Sequence, residues 1–257
     1  MGVTRRKRAR ASIVRPTDKR WMLARVSGSI FQHLLTGWDA LPAANRQKWT
    51  RRIGAGAVAL FGLMLALVAL GKALVQNNLL SWEPDFLRAL ELRGPFGFSG
   101  AVWFQTFGTD ITLAILILFT AGISAWKGRP LTALSIILAF LVIDIVVRFG
   151  WLTWDRSRPD LIARGVASPS FHSFPSGHTG KTLAVYGFLA SRWWQASRNI
   201  TERVFILVVT TFIIVIVPLG RLRMGVHWPS DILGGYTIGL AWTMLLIWAA
   251  RLEQRSR

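Results

Sequence analysis

The chain has 257 residues, of which 52% are hydrophobic, yet it carries a formal net charge of +19. A soluble globule reconciles those figures poorly, whereas a bilayer lets apolar spans and basic flanks occupy separate places. There are no cysteines, which excludes disulfides, Cys-ligated zinc, iron–sulfur clusters and thiol catalysis.

The first 52 residues hold thirteen Lys and Arg against Asp18 and Asp39. A secretory signal has a shorter charged region and a shorter apolar core. A transit peptide or a nucleic-acid-binding arm is a weaker reading than a basic cytoplasmic segment, 1–52, that follows the positive-inside rule and meets anionic lipid. Within it, Met22, Val26, Ile30 and Leu34 recur at near-helical spacing after Trp21, which predicts a short helix lying on the membrane.

Six apolar segments follow, roughly Ile53–Val75, Ile111–Trp126, Leu131–Phe149, Thr179–Trp194, Val204–Gly220 and Ile232–Ala250. About 20 helical residues cross a bilayer, so the second and fourth must extend into their neighbours. An unclosed strand edge cannot be satisfied in lipid, so the expected fold is all-α: a six-transmembrane-helix bundle over 53–250. A basic cytoplasmic tail, 251–257, ends the chain. In the first outer loop, Trp82 to Leu92 predicts a surface helix, followed by a Gly-rich approach to the second span. Charge sets the orientation. The segments 1–52, Lys127–Arg129, Arg192–Arg203 and Arg251–Arg257 are all basic, which puts both termini in the cytoplasm and 76–110, 150–178 and 221–231 outside the cell membrane.

Three short motifs carry chemistry, and all fall on the outer side. Pro175-Ser176-Gly177-His178 opens the fourth span. Free backbone N–H groups and the helix dipole make such a start an anion site, where His178 could act as a general acid; an ordinary helix cap would look the same. In the last outer segment, Arg221 precedes His227 and Asp231. If a helix begins at His227, the pair shares one face, with Pro229 in the first turn. A carboxylate that accepts the Nδ1 proton leaves Nε2 free as a nucleophile, and Arg221 would hold phosphate oxygens. A purely structural His–Asp pair is the alternative. Arg156-Ser157-Arg158-Pro159 is the third motif and says little alone. His33 and His172 read as interfacial and loop residues.

Together these residues resemble the type 2 phosphatidic acid phosphatase and haloperoxidase superfamily, in its membrane lipid phosphatase branch. The family pattern is Lys-x6-Arg-Pro, then Pro-Ser-Gly-His, then Ser-Arg-x5-His-x3-Asp. The second motif is intact here, and the third is intact except that Gly220 stands for Ser. The resemblance covers about Asp110 to Trp248. It implies a metal-independent enzyme with no cofactor, in which His227 is the nucleophile, Asp231 orients it and His178 protonates the leaving group. Arg158, Arg221 and the Ser176–Gly177 backbone would hold the phosphate.

One departure matters. The family lysine belongs seven residues before Arg158, where this chain has Trp151. Removing one preorganised charge-stabilising donor costs about 10²–10³ in rate, so either the enzyme is slow or another cation fills the gap: Arg148, Lys181 or Arg223, in that order. Arg148 could instead pair with Asp144, since an acid inside a span needs a partner, and both roles can coexist. The resemblance implies hydrolysis of a lipid phosphomonoester or diphosphate through a phosphohistidine at the outer face. Candidate substrates are phosphatidate, phosphatidylglycerol phosphate, polyprenyl diphosphate and a lipid A phosphate. The expected partners are lipid substrate and bilayer, with no nucleic acid. A lipid phosphotransferase, a His/Asp metal hydrolase and a catalytically weak lipid-binding protein are the rival readings.

Overall fold

The computed structural model describes the backbone of residues 19–161 and 172–254, with side chains from Gly28 onward. Most of the basic N-terminal arm, the middle of the 150–178 loop and residues 255–257 lie outside the described residues. The helices are α1 (Lys19–Ala40), α2 (Ala43–Gln76), α3 (Glu83–Arg93), α4 (Phe98–Gln105), α5 (Asp110–Trp126), α6 (Pro130–Thr153), α7 (Gly177–Ala196), α8 (Ile200–Arg223) and α9 (Pro229–Gln254), with a 3-10 turn at Thr106–Gly108 between α4 and α5.

Among the described residues, five helical stretches are long and apolar enough to cross a membrane: α2, α4 through α5, α6, α8 and α9. The expected fourth span, α7, is not among them. At 20 residues it is roughly 30 Å long, which is sufficient, but its first turns are spent on Gly177, His178, Thr179, Gly180, Lys181 and Thr182. It sits instead inside the bundle, packed on α6, α8 and α9, with Ala184, Val185 and Phe188 fully buried. Polar groups are tolerated there because they face protein rather than lipid.

Helix ends and apolar ends differ elsewhere too. α2 starts at Ala43, well before the apolar run at Ile53, because its first turns are held by protein. Asn45 donates to the Leu252 carbonyl at 3.2 Å, and Trp49 is buried against Leu131, Ala249 and Leu252. Apolarity marks where lipid begins, not where the helix does. The Gly-rich approach to the second span is itself helical, as α4, which lies against α8. A Cβ added at Gly220 would stand 2.9 Å from the Ala101 carbonyl oxygen, closer than real Cβ atoms come. The glycine that replaces the family serine is what lets α4 lie there.

The stripe on α1 does more than float on a surface. α1 packs on α5 and α6, Ile30 and Leu34 rest on the main core, and the His33 ring lies 4.7 Å from the Trp126 ring. The side chains of Met22 and Val26 lie outside the described residues. The surface helix expected at Trp82–Leu92 is α3, and it is docked: Leu87 is buried with Leu222 and Ile232, and Glu83 is 2% exposed.

α7 and α9 meet along a seam of glycines. A Cβ at Gly235 would meet the Ser176 carbonyl at 2.6 Å, and one at Gly239 would meet the Gly180 carbonyl at 2.8 Å. Small residues at such a seam let two backbones touch. The main-chain N–H of Ser176 then donates to the Asp231 carbonyl at 3.0 Å, which fixes the start of α7 against the start of α9.

Candidate active site

That junction opens into a cavity of about 160 Å³, lined by Asp110, Asp144, Arg148, Trp151, Arg158, Gly177, His178, Lys181, Arg221 and His227. The starts of α5 and α7 and the ends of α6 and α8 line it, and the loops after α6 and α8 complete its wall. Residues from all three motifs meet here.

His227 lies in the loop just before α9 and is 1% exposed. Its Nδ1 is 2.9 Å from the Ser173 carbonyl oxygen. A carbonyl only accepts, so Nδ1 carries the proton and Nε2 has a free lone pair. Burial, opposed by the neighbouring Asp231 carboxylate, pushes the imidazole down to about 4, so the ring is neutral at pH 7. Asp231 Oδ2 stands 3.5 Å from the same Nδ1. The expected direct Nδ1–Asp231 hydrogen bond is thus replaced by one to a main-chain carbonyl. The reason is the helix start: α9 begins at Pro229 rather than His227, and Asp231 Oδ2 instead accepts the Trp228 N–H at 2.7 Å, as a helix-start cap.

On the opposite wall, His178 sits in the first turn of α7 with Gly177 before it. That turn leaves N–H groups without partners inside the helix. Ser176 contributes less than expected. Its N–H is taken by the Asp231 carbonyl, and its hydroxyl accepts from Thr179 Oγ1 at 3.0 Å, so of the pair only Gly177 lines the cavity.

Arg158 and Arg221 supply positive charge. Arg158 donates to the Val226 carbonyl at 2.6 Å, and burial lowers its guanidinium from the ordinary value. Arg221 donates to Gln105 Oε1 at 2.5 Å, while its buried Nε has no protein partner.

Of the three substitute cations, two line the cavity. Arg148 Nε is 2.7 Å from Asp144 Oδ2, with the Arg148 side chain 62% exposed. Lys181, 7% exposed, bridges Asp144 Oδ1 at 3.2 Å and Asp110 Oδ1. Arg223 is outside. Two residues on from Arg221 is about 200° around the helix, and its side chain runs past Gly94 instead. Trp151 itself lines the cavity, its indole N–H donating to the Pro175 carbonyl at 3.2 Å.

Several partners were not foreseeable from the motifs. Arg156 Nη1 donates to Asp231 Oδ1 and to Ser230 Oγ, each at 2.6 Å, and Nη2 donates to Glu83 Oε2 at 2.6 Å. Glu83 Oε1 in turn accepts from the Ser230 N–H at 2.8 Å and hydroxyl at 2.7 Å. Arg156 belongs to the Arg156–Pro159 motif, but Glu83, Gln105, Asp110 and Ser173 belong to none of the three. The available signal was an unexplained acid at each of two outer helix starts, Glu83 and Asp110. His172 pairs with Asp155 at 2.7 Å. Among the described residues, no group of three His, Cys, Asp or Glu is placed to hold a metal ion.

Fold and site thus define a helical membrane protein with a histidine-lined, arginine-rich pocket. Residues 130–255, just under half of the chain, match the family model described as the PAP2 superfamily. A stretch of 87 residues is 34% identical to phosphatidylglycerophosphatase B of Bacillus subtilis (strain 168), covering 34% of this chain and 42% of that relative. This aligned stretch therefore spans less than half of the relative's length. The crystal structure of the first transmembrane PAP2 type phosphatidylglycerolphosphate phosphatase from Bacillus subtilis superposes with a TM-score of 0.60 and 26% identity, over 74% of this chain and 93% of that one.

Proposed function

We propose that the protein is a lipid phosphatase that hydrolyses a phosphomonoester or diphosphate through a phosphohistidine. The observation that carries this is the 2.9 Å contact of buried His227 Nδ1 with the Ser173 carbonyl oxygen, an acceptor that calls for the proton on Nδ1 and leaves Nε2 free, in a cavity lined by Arg158, Arg221 and His178. Nε2 attacks phosphorus, and the P–O bond to the lipid breaks as His178 passes its proton to the leaving oxygen. Water then attacks the phosphohistidine, giving up a proton to His178 and releasing inorganic phosphate. Arg158, Arg221 and the Gly177 turn bind the phosphoryl oxygens throughout, since this chemistry depends mainly on positioning and charge.

The name of the Bacillus relative makes phosphatidylglycerol phosphate the first substrate to try, beside phosphatidate, a polyprenyl diphosphate and a lipid A phosphate. Detergent-purified protein is expected to release inorganic phosphate from at least one of these with a chelator present. No release from any of them, with or without divalent metal, would remove the phosphatase reading. Phosphorylated product appearing when a second lipid is added would shift it to a phosphotransferase.

We also propose that the site faces outward, with both termini in the cytoplasm, on the basic character of the alternate segments. The absence of native cysteine makes the test direct. Leu79 is 60% exposed at the site end of the bundle, and Arg198 is exposed at the opposite end. An impermeant thiol reagent on intact cells is expected to label Leu79→Cys and to spare Arg198→Cys until the membrane is opened. The reverse pattern inverts the topology.

A further inference from the structure

We infer that Arg156, clasped by Glu83, is a positioning residue for the transfer: it sets the Asp231 carboxylate against the His227 ring and ties that setting to the docked helix α3. The inference rests on the reading of His227 as nucleophile.

Three charged groups are buried together here, with side-chain exposures of 10% for Arg156, 2% for Glu83 and 0% for Asp231. Burying charge is costly unless geometry and hydrogen bonds are both well met. They are met by one planar guanidinium serving two carboxylates, an arrangement that a lysine's single ammonium does not reproduce. The Trp154 and Trp228 rings stand 5.3 and 5.5 Å from the guanidinium carbon and restrict its movement.

The clasp governs which way Asp231 points. Oδ1 is taken by Arg156 at 2.6 Å, and Oδ2 by the Trp228 N–H at 2.7 Å. With both oxygens fixed, Oδ2 is held 3.5 Å from His227 Nδ1, where it stabilises positive charge as the ring is phosphorylated. Without Arg156 the carboxylate can turn about its Cβ–Cγ bond. The same guanidinium reaches through Glu83 to the first residue of α3, so α3 and the nucleophile share one support.

The test is a double-mutant cycle between Arg156→Gln and Asp231→Asn, read as steady-state turnover on whichever lipid phosphate the panel identifies. Arg156→Gln is expected to lower kcat roughly 10–100-fold, the size met when a group that orients a ligand from behind is lost, with KM changed less than about 3-fold. In the Asp231→Asn background the same substitution is expected to cost less than about 3-fold, because no carboxylate remains to aim. Losses that multiply in full, or an effect confined to KM, overturn the proposal. Arg156→Lys repeats the cycle if Arg156→Gln does not fold, and failure of both to fold assigns Arg156 to stability alone and also overturns it. His227→Ala is assayed alongside. Turnover in that variant removes the nucleophile reading, whereas a dead His227→Ala with fully multiplying Arg156 and Asp231 losses removes only the clasp.

Discussion

His227→Ala is expected to abolish turnover, by at least about 10⁴-fold, while the protein stays folded and in the membrane. Removing a nucleophile that acts as one unit with its partners typically costs 10⁴–10⁶, and here the alanine also leaves the Ser173 carbonyl and the Asp231 carboxylate with nothing to orient. The pH profile checks the same residue. Burial holds the His227 imidazole down at about 4, so the ring is neutral and nucleophilic above that value. Activity limited by His227 should be retained through mildly acidic conditions and lost as pH falls through about 4. A phosphorylated species trapped on acid quenching should be present in the native protein and absent from His227→Ala. Near-normal turnover in the variant would end the assignment.

The second large effect is expected at Lys181. Sequence spacing alone favours Arg148 as the stand-in for the missing family lysine, but burial reverses the order. Lys181 is 7% exposed and lies between Asp110 and Asp144, while Arg148 is 62% exposed. Charge interactions are stronger where water is excluded, so the buried ammonium contributes more to an arriving phosphate. Lys181→Ala also leaves Asp110 facing that phosphate without the cation that offsets it, and Asp144 with Arg148 alone. Turnover should fall by about 10²–10³, whereas Arg148→Ala should cost about 10-fold or less. Trp151→Lys in the Lys181→Ala background should restore part of the rate by putting an ammonium back at the family position. A loss below about 5-fold in Lys181→Ala, measured on protein that remains folded, would refute the substitution.

The helical segments and the gathering of three motifs on one side were legible in the sequence because each rests on a local rule. Lipid demands long apolar runs, and His178, Arg158, Arg221, His227 and Asp231 announce themselves by spacing. Long-range partners were not legible. Glu83 and Arg156 are far apart in the chain, and nothing in either neighbourhood signals that one guanidinium serves two acids. The Nδ1 bond to Ser173 goes to a main-chain carbonyl, which every residue possesses and no pattern marks. Arg223 was placed near the site because it is near in sequence, but two residues along a helix turns a side chain away. Gly220 looked like a lost serine and is instead the contact point of α4 on α8.

The make-up of α7 bears on how the protein is assembled. The five described stretches that are long and apolar enough to cross a membrane can enter a bilayer on their own account, whereas α7 carries His178, Lys181 and a run of small polar residues in its first turns. A charged residue costs about 2.5–3.5 kcal/mol at the centre of an inserting helix and less near its ends, where His178 and Lys181 stand. During synthesis α7 therefore depends on α6 already being in place, with Asp144 ready to meet Lys181, and it stays unsheathed on one side until α9 arrives to close the glycine seam. The candidate site residues His178 and Lys181 thus stand on the helix least able to insert alone, so assembly of the bundle and assembly of the cavity are expected to depend on the same few side chains.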